Sequence, residues 1–173
     1  IDKEELNQID SSAGGEFAMY VPSSGILDPM QYTIALAENA CENGAKFFFG
    51  AQVEDIARED GMYILKTPKG SFQAKWVINC AGMYAPEISQ MLGYPYYPTK
   101  GFKGEYFVLD KKAGKFLNIP VYPAPNAKGG FAVHATPTVD GNVLVGPDSY
   151  EVEGREDYSV TKEHLDGLIR DGS

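Results

Sequence analysis

Cysteine and histidine are scarce in this chain. Cys41 and Cys80 are its two cysteines among 173 residues, far apart and outside any C-x-x-C pattern. Both read as reduced and buried, which suits a cytoplasmic protein better than a disulfide-built secreted one. Together with His134 and His164 they lack zinc-ligand spacing, so no metal is expected. No run approaches the roughly 20 apolar residues of a membrane span. The opening IDKEELNQIDSS is acidic and polar, unlike a basic-then-apolar secretory leader. A G-x-S-x-G elbow, a Walker loop and an H-E-x-x-H helix are all missing, which removes three common catalytic classes. Glu54 and Asp55 are adjacent, so a strand would point them to opposite faces and they make no carboxylate pair.

What is present suits an ordinary folded protein. Hydrophobic residues make up 43% and charged residues 23%, inside the globular range. The length allows one compact domain or two small lobes. The net charge of −9 is unevenly spread. Residues 1–60 carry 12 acids and 3 bases, residues 61–150 carry 5 and 9, and residues 151–173 carry 7 and 3. A basic middle in an acidic chain favours a small anionic substrate or a phosphate-bearing cofactor. Lys111, Lys112 and Lys115 read more simply as solvating a turn. Nucleic acid is a poor partner for so acidic a chain.

Along the chain, a polar lead is followed by a short strand at 16–22. Asp28-Pro29 then starts a helix, with Asp as cap and Pro at the first helical position. Met30, Ile34, Ala37 and Cys41 recur at helical spacing, and Gly44 ends the helix. AKFFFG (45–50) is a continuous apolar run, short enough for a buried strand of a mainly parallel sheet. QVEDIARE, GMYILKT and SFQAKWVINCA follow as a meander, with turns at 59–61 and 68–70. The last of these becomes fully apolar before residues 83–91 turn helical. Further strands are expected at 115–125, 129–138 and 141–147, and a helix opens in TKEHLDGLIR. His164, in that helix, reads as a surface residue. Tyr94, Tyr96 and Tyr97 read as packing a lobe boundary. The expected class is α/β (α+β), with composition shifts near residues 22–25 and 94–99.

In order, VPSSGILDPMQYTIALAENACENGAKFFFGAQVEDI and GSFQAKWVINCAGMYAPEIS resemble the D-amino-acid-oxidase-like flavoproteins. KGFKGEYFVLDK and HATPTVDGNVLVGPD look most like the glycerol-3-phosphate dehydrogenase branch, with its G-E-Y strand and T-P-T-x-D-G-N-x-x-x-G-P run. The resemblance covers roughly residues 16–169. It implies an incomplete FAD-binding-type lobe over 23–94 and a largely antiparallel substrate-binding lobe over 95–160. The strand at 16–22 would belong to the substrate lobe, and 161–173 would begin a returning helix. Such proteins seat the FAD pyrophosphate on a G-x-G-x-x-G turn. Neither Gly14-Gly15 nor Gly129-Gly130 fits that pattern. The chain is therefore expected to be an internal piece of a longer enzyme that retains no FAD by itself.

By the same resemblance, Val53 matches a valine whose backbone lies beside the FAD adenine. Asn79, Cys80, Ala81 and Gly82 match a small-residue turn near the flavin nucleotide. A backbone approaches a cofactor closely only where side chains are small. Close packing of strand on helix would need the same Ala and Gly, and Val53 has an ordinary strand residue as its plainer alternative. Tyr106, His134 and Thr136 sit on strands that would lie over the flavin, and Lys100 or Lys103 could bind a carboxylate or phosphate. A neutral His134 could accept the alcohol proton as hydride leaves for the flavin; a packed core histidine is the alternative. The implied substrate is sn-glycerol 3-phosphate, then a 2-hydroxy acid such as 2-hydroxyglutarate or an amino acid. A quinone or another carrier would accept the electrons. The implied location is cytoplasmic, with peripheral membrane attachment of the parent enzyme left open. A non-enzymatic module that binds a small anion is the reading from a different class.

Overall fold

The computed structural model describes residues 1–124 and 133–171. They form two compact units, one from 1–36, 102–152 and 156–173, the other from 37–101 with 153–155. Both interleave helices with antiparallel strands, a mixed α/β (α+β) class. The composition shift at 94–99 lies close to the 101/102 division, whereas the one at 22–25 falls inside the first unit.

The first unit opens on helix α1 (Lys3–Ile9), where the sequence reads only as a polar lead. A capping box starts it: the Glu5 amide donates to Asp2 Oδ1 (3.0 Å) and the Asp2 amide to Glu5 Oε2 (3.2 Å). At its far end buried Asp10 accepts from Ser12 and, 108 residues on, from the Asn118 amide (2.9 Å). Burial works against the Asp10 charge, but these donors outweigh it and hold the carboxyl below its ordinary range. The strand expected at 16–22 reduces to one bridge, Asp2 to Phe17. The residues after Asp2 are helical, so no ladder can extend, and Phe17 and Met19 stay exposed.

Helix α2 (Pro29–Glu42) begins as its sequence requires, with Asp28 Oδ1 accepting from the amides of Met30 (2.8 Å) and Gln31 (3.0 Å). Its apolar stripe, however, meets no core. No residue of α2 is buried, and Met30, Ile34 and Leu36 are exposed. Cys41 and Cys80 are free, as expected, but exposed rather than buried. Helical spacing creates a stripe; only a neighbouring element can cover it.

In the second unit, β1 (Asp55–Glu59), β2 (Met62–Thr67) and β3 (Gly70–Ala74) form the antiparallel meander, with Ile56 opposite Leu65 and Leu65 opposite Phe72. Asp60 and Gly61 take positive φ (47° and 78°), as a two-residue hairpin turn demands. Helix α3 (Ala85–Met91) packs on β1. Residues 45–50 and 76–81, expected as strands, lie in no strand. Phe49, Trp76 and Ile78 are 80%, 85% and 86% exposed. An interior strand needs hydrogen-bonding neighbours and cover on both faces, and apolar composition supplies neither.

The rest of the first unit holds two small sheets. β4 (Gly101–Lys103) pairs with β8 (Tyr150–Val152), a strand the sequence did not announce. β7 (Val143–Gly146) lies between β5 (Phe107–Leu109) and β6 (His134–Pro137), antiparallel to both. The expected strand at 115–125 reduces to a bridge from Val121 to Ala135. Its last residue and the start of the strand expected at 129–138, including Gly129-Gly130, lie outside the described residues.

Helix α4 (Lys162–Asp171) buries Leu168, 1% exposed, and is fastened by a polar knot. Glu105, 3% exposed, accepts from the Tyr150 hydroxyl (2.6 Å) and the Thr161 amide (3.1 Å). The Glu105 amide donates to Asp148 Oδ1 (2.7 Å), and the other Asp148 oxygen meets His164 Nδ1 at 2.5 Å. The His164 ring stacks on Tyr150 at 3.5 Å between centroids, so His164 is part of this knot rather than a plain surface residue. Burial opposes the Glu105 charge, but the Tyr150 and Thr161 donors outweigh it and hold the carboxyl below its ordinary range.

Two outcomes are expected. Leu168→Ala removes a buried side chain and lowers unfolding free energy by about 2–5 kcal/mol, read from denaturant titration of the protein. Asp157 is held down from 3.8 to about 2, chiefly by the Ser159 hydroxyl and amide and by Lys103. A lowered carboxyl pKa stabilises above its ordinary value and loses that contribution as pH falls through the folded value. The denaturation midpoint should therefore fall as pH drops from 3.8 toward about 2, and Asp157→Asn should flatten that part of the profile.

Candidate functional site

The β5-β7-β6 sheet gathers the expected substrate-side residues on one face. His134 pairs with Gly146, and Phe107 pairs with Val145. Just before β5, the Tyr106 ring lies against Gly146. On the far side, the Val121–Ala135 bridge sets Tyr122 beside His134. One rung thus runs Tyr106, Gly146, His134, Tyr122, and residues directly opposite one another share a face. The Tyr122 and His134 rings lie 4.4 Å apart, tilted by 46°.

Gly146 makes this rung possible. A Cβ there would stand 2.8 Å from Tyr106 Cδ1 and 2.7 Å from the Glu105 carbonyl oxygen, and its φ is +146°. Only glycine accepts both the conformation and the approach. The opposite face carries Val143, which is fully buried. Thr136 lies two residues along β6 from His134, hence on the same face. Its hydroxyl oxygen is buried and, among the described residues, has no hydrogen-bond partner, an arrangement that calls for an explanation. Partial burial, and then the nearby Tyr122, push the Tyr106 hydroxyl pKa up.

The T-P-T-x-D-G-N part of the motif is the β6–β7 hairpin. The Thr138 amide donates to the Asn142 carbonyl (2.8 Å), and the Asn142 amide donates to Thr138 Oγ1 (3.1 Å). Asn142 Nδ2 reaches across to the Leu109 carbonyl (3.0 Å), which ties the hairpin to β5. Gly146 and Tyr122 escaped the sequence reading because the rung joins residues from three separated segments. The G-P of the motif was its only local trace.

The lysines are placed differently. Lys103 Nζ lies 3.3 Å from Asp157 and from Ser159 Oγ, with its side chain largely buried. Burial lowers its pKa, but contacts with Asp157 and Tyr150 outweigh that and raise it. An anion at Lys103 would have to displace Asp157. Lys100 is exposed and belongs to the other unit. Lys111, Lys112 and Lys115 are exposed, and the Lys112 amide donates to Asp110 in a turn.

The second unit holds the cofactor-side candidates. Asn79 Nδ2 donates to the Ala85 carbonyl (2.8 Å), and its Oδ1 accepts from the Ala81 amide (3.2 Å). This fixes the Asn79-Cys80-Ala81-Gly82 turn at the start of α3. Gly82 has φ +57°, and a Cβ built on it would meet nothing within 4 Å, so the outside of the turn is open backbone. A turn of this kind fits the close approach of a flat nucleotide cofactor. Val53 is half-buried just before β1, and the neighbouring Glu54 amide donates to the Lys66 carbonyl (2.9 Å). Asp55 is taken up by Lys66 at 2.7 Å. Among the described residues, no group of three His, Cys, Asp or Glu side chains could hold a metal, and no helix is long and apolar enough to cross a membrane.

Known proteins with similar sequences give this geometry its context. A glycerol 3-phosphate dehydrogenase of Caloramator mitchellensis is 35% identical over 171 residues, covering 98% of this chain and 35% of that protein. An L-2-hydroxyglutarate dehydrogenase of Escherichia coli O17:K52:H18 is 31% identical, covering 91% and 38%. The mitochondrial L-2-hydroxyglutarate dehydrogenase of Bos taurus is 30% identical, covering 99% and 41%. The chain thus spans well under half the length of these curated relatives. Among solved structures, glycine oxidase from Geobacillus kaustophilus superposes with a TM-score of 0.69 at 20% identity, over 99% of this chain and 44% of that one. That likeness shows the fold, a mixed α/β arrangement shared with that protein. The family described as FAD dependent oxidoreductase matches residues 1–173, and the chain belongs to that family.

Proposed function

We propose that this chain is the central stretch of an FAD-dependent dehydrogenase that oxidises a small anionic 2-hydroxy compound, glycerol 3-phosphate first. The observation that carries the proposal is the rung of Tyr106, Gly146, His134 and Tyr122, with the unpartnered Thr136 hydroxyl on the same face. The order of substrates follows the relatives, 35% identity for the glycerol 3-phosphate dehydrogenase against 31% and 30% for the two 2-hydroxyglutarate dehydrogenases. L-2-hydroxyglutarate is the second reading, favoured by several relatives that carry that name.

FAD, when bound, supplies the hydride acceptor. The chain's own residues divide the remaining work. His134 accepts the proton of the substrate hydroxyl as the carbon–hydrogen bond breaks and the alcohol becomes a ketone. Thr136 offers its hydroxyl to a substrate oxygen. Tyr106 and Tyr122 wall the face and exclude water, which strengthens polar contacts inside it. The open turn Asn79-Cys80-Ala81-Gly82, with Val53, would hold part of the cofactor against backbone. Lys100 and Lys103 are the candidate cations for the substrate's anionic end, Lys103 only after exchanging Asp157. A quinone or another carrier would take the electrons onward.

The complete gene product, loaded with FAD, should show anaerobic bleaching of the flavin band on addition of glycerol 3-phosphate. Bleaching by L-2-hydroxyglutarate alone would move the assignment to the second reading. Bleaching by neither would favour a module that binds a small anion without redox chemistry. His134→Gln should lower kcat by about 10²–10⁴. Unchanged turnover would make His134 a packing residue. Residues 1–173 purified alone should retain no FAD after ultrafiltration, and stoichiometric flavin absorbance in the retentate would contradict the division of the cofactor site described above.

A further inference from the structure

We infer that Glu105 is a positioning residue for Tyr106: the knot around its carboxylate fixes where the Tyr106 ring stands against Gly146. Residues 104–106 join β4 to β5. Here the Glu105 carboxylate is buried among donors, while the adjoining Tyr106 is 44% exposed with its ring against Gly146. Among the described residues the Tyr106 side chain makes no hydrogen bond or ion pair, so its place is set by the backbone that carries it.

That backbone is held from three directions. The Glu105 carboxylate receives the Tyr150 hydroxyl (2.6 Å), the Thr161 amide (3.1 Å) and, more weakly, the Thr161 hydroxyl (3.5 Å). The Glu105 amide is held by Asp148 (2.7 Å), which His164 holds in turn. The Glu105 carbonyl and the Tyr106 ring press on Gly146, and a Cβ on Gly104 would stand 2.8 Å from the Cβ of Pro147. Segments 104–106 and 146–148 are therefore locked together, and each contributes one residue to the rung. Lys103, one residue before Gly104, is anchored by Asp157 and lies 5.9 Å from the Tyr150 ring.

The chemistry of the knot demands a carboxylate. Every group that points at Glu105 is a donor, and an ionised carboxylate is acceptor-only. A glutamine of the same size presents one oxygen and one NH₂ group. The Tyr150 hydroxyl can turn to accept, but the Thr161 amide lies 3.2 and 3.1 Å from the two carboxylate oxygens, so either way round the NH₂ group meets it donor against donor. The 104–106 segment would shift to relieve it, and a displacement of about 1 Å beside the reacting atoms costs roughly a hundredfold in rate.

This inference takes Tyr106 as a substrate-face residue from the function proposed above, so its test includes an arm that needs no substrate. The complete protein is labelled with 3-fluorotyrosine, and the Tyr106 ¹⁹F resonance is assigned by its loss in Tyr106→Phe. Glu105→Gln should shift and broaden that resonance while leaving Tyr63, in the β2 strand of the other unit, unmoved. A Tyr106 resonance unchanged in Glu105→Gln would overturn the inference and leave Glu105 as a fastening for α4 alone. Should Glu105→Gln fail to fold, Tyr150→Phe removes one donor from the same carboxylate and keeps the ring on His164. It is read in the same way. In kinetics, Glu105→Gln should lower kcat/KM at least roughly tenfold in the wild-type background. In the Tyr106→Ala background it should cost less than about twofold, because the ring that Glu105 positions is gone. Additive losses would also overturn the inference. A shifted resonance without turnover of any hydroxy compound would sink the proposed reaction but support the positioning role.

Discussion

A buried carboxylate without partners is one of the most expensive groups a fold can contain. Glu105 escapes that cost only because β8, the start of α4 and the 146–148 segment all send it donors or shape its backbone. The first unit depends on this meeting. Tyr150 brings β8, which pairs with β4. Thr161 caps the approach to α4, and α4 delivers Leu168 to the core. Asp148 ties the end of β7 to both Glu105 and His164. Each of these elements is short, three or four residues for most strands, and isolated short strands are marginal in water. The polar knot supplies the cross-links that such strands cannot provide by themselves. Asp10 plays the same part at a second point, where it fixes the end of α1 to Asn118.

The second unit is held by different means. Its meander is regular, with ten residues paired on the central strand's two sides through consecutive registers from Ile56 to Phe72, and α3 covers part of it. Beyond the meander the apolar segments stand open: Phe47 to Phe49 and Trp76 to Ile78 belong to no strand. Exposed apolar side chains of this kind lack cover on their faces, although Phe48 meets Phe72 and the Phe49 carbonyl accepts from Lys69. The Asn79 side chain answers part of this need, since it bonds the Ala81 amide and the Ala85 carbonyl and so fixes the turn between the open segment and α3.

What the sequence makes legible follows from the range of the forces involved. The start of α2 was readable because a cap is a contact two or three residues long, Asp28 to Met30 and Gln31. The meander was readable for the same reason: Asp60-Gly61 settles a hairpin locally. The capping box of α1 is equally local, Asp2 with Glu5, but it opens a helix of only seven residues in a polar stretch. Burial was another matter. Cys41, Phe48 and Ile78 have the composition of core residues, yet composition states what a residue would gain from cover and not whether cover arrives. The knot was invisible for a related reason. Glu105, Asp148, Tyr150 and His164 are unremarkable one by one, and 59 positions separate the first from the last. His164 read as surface because its helix alone gives no hint of Asp148.

The candidate site shows why register carries more information than residue type. A histidine alternating with apolar neighbours is what a packed strand residue looks like, and nothing in V-H-A distinguishes the two cases. Register sets what stands opposite. Across from His134 is Gly146, whose missing side chain lets the Tyr106 ring and the Glu105 carbonyl press against its backbone. The conformation at Gly146 excludes any other residue, and among the described residues Thr136 keeps a buried hydroxyl without a partner, two residues from His134. Both features lower stability when considered alone. The knot around Glu105 reaches this face through Gly146, which meets both the Glu105 carbonyl and the Tyr106 ring, so the order of the unit and the order of the face rest on the same residues.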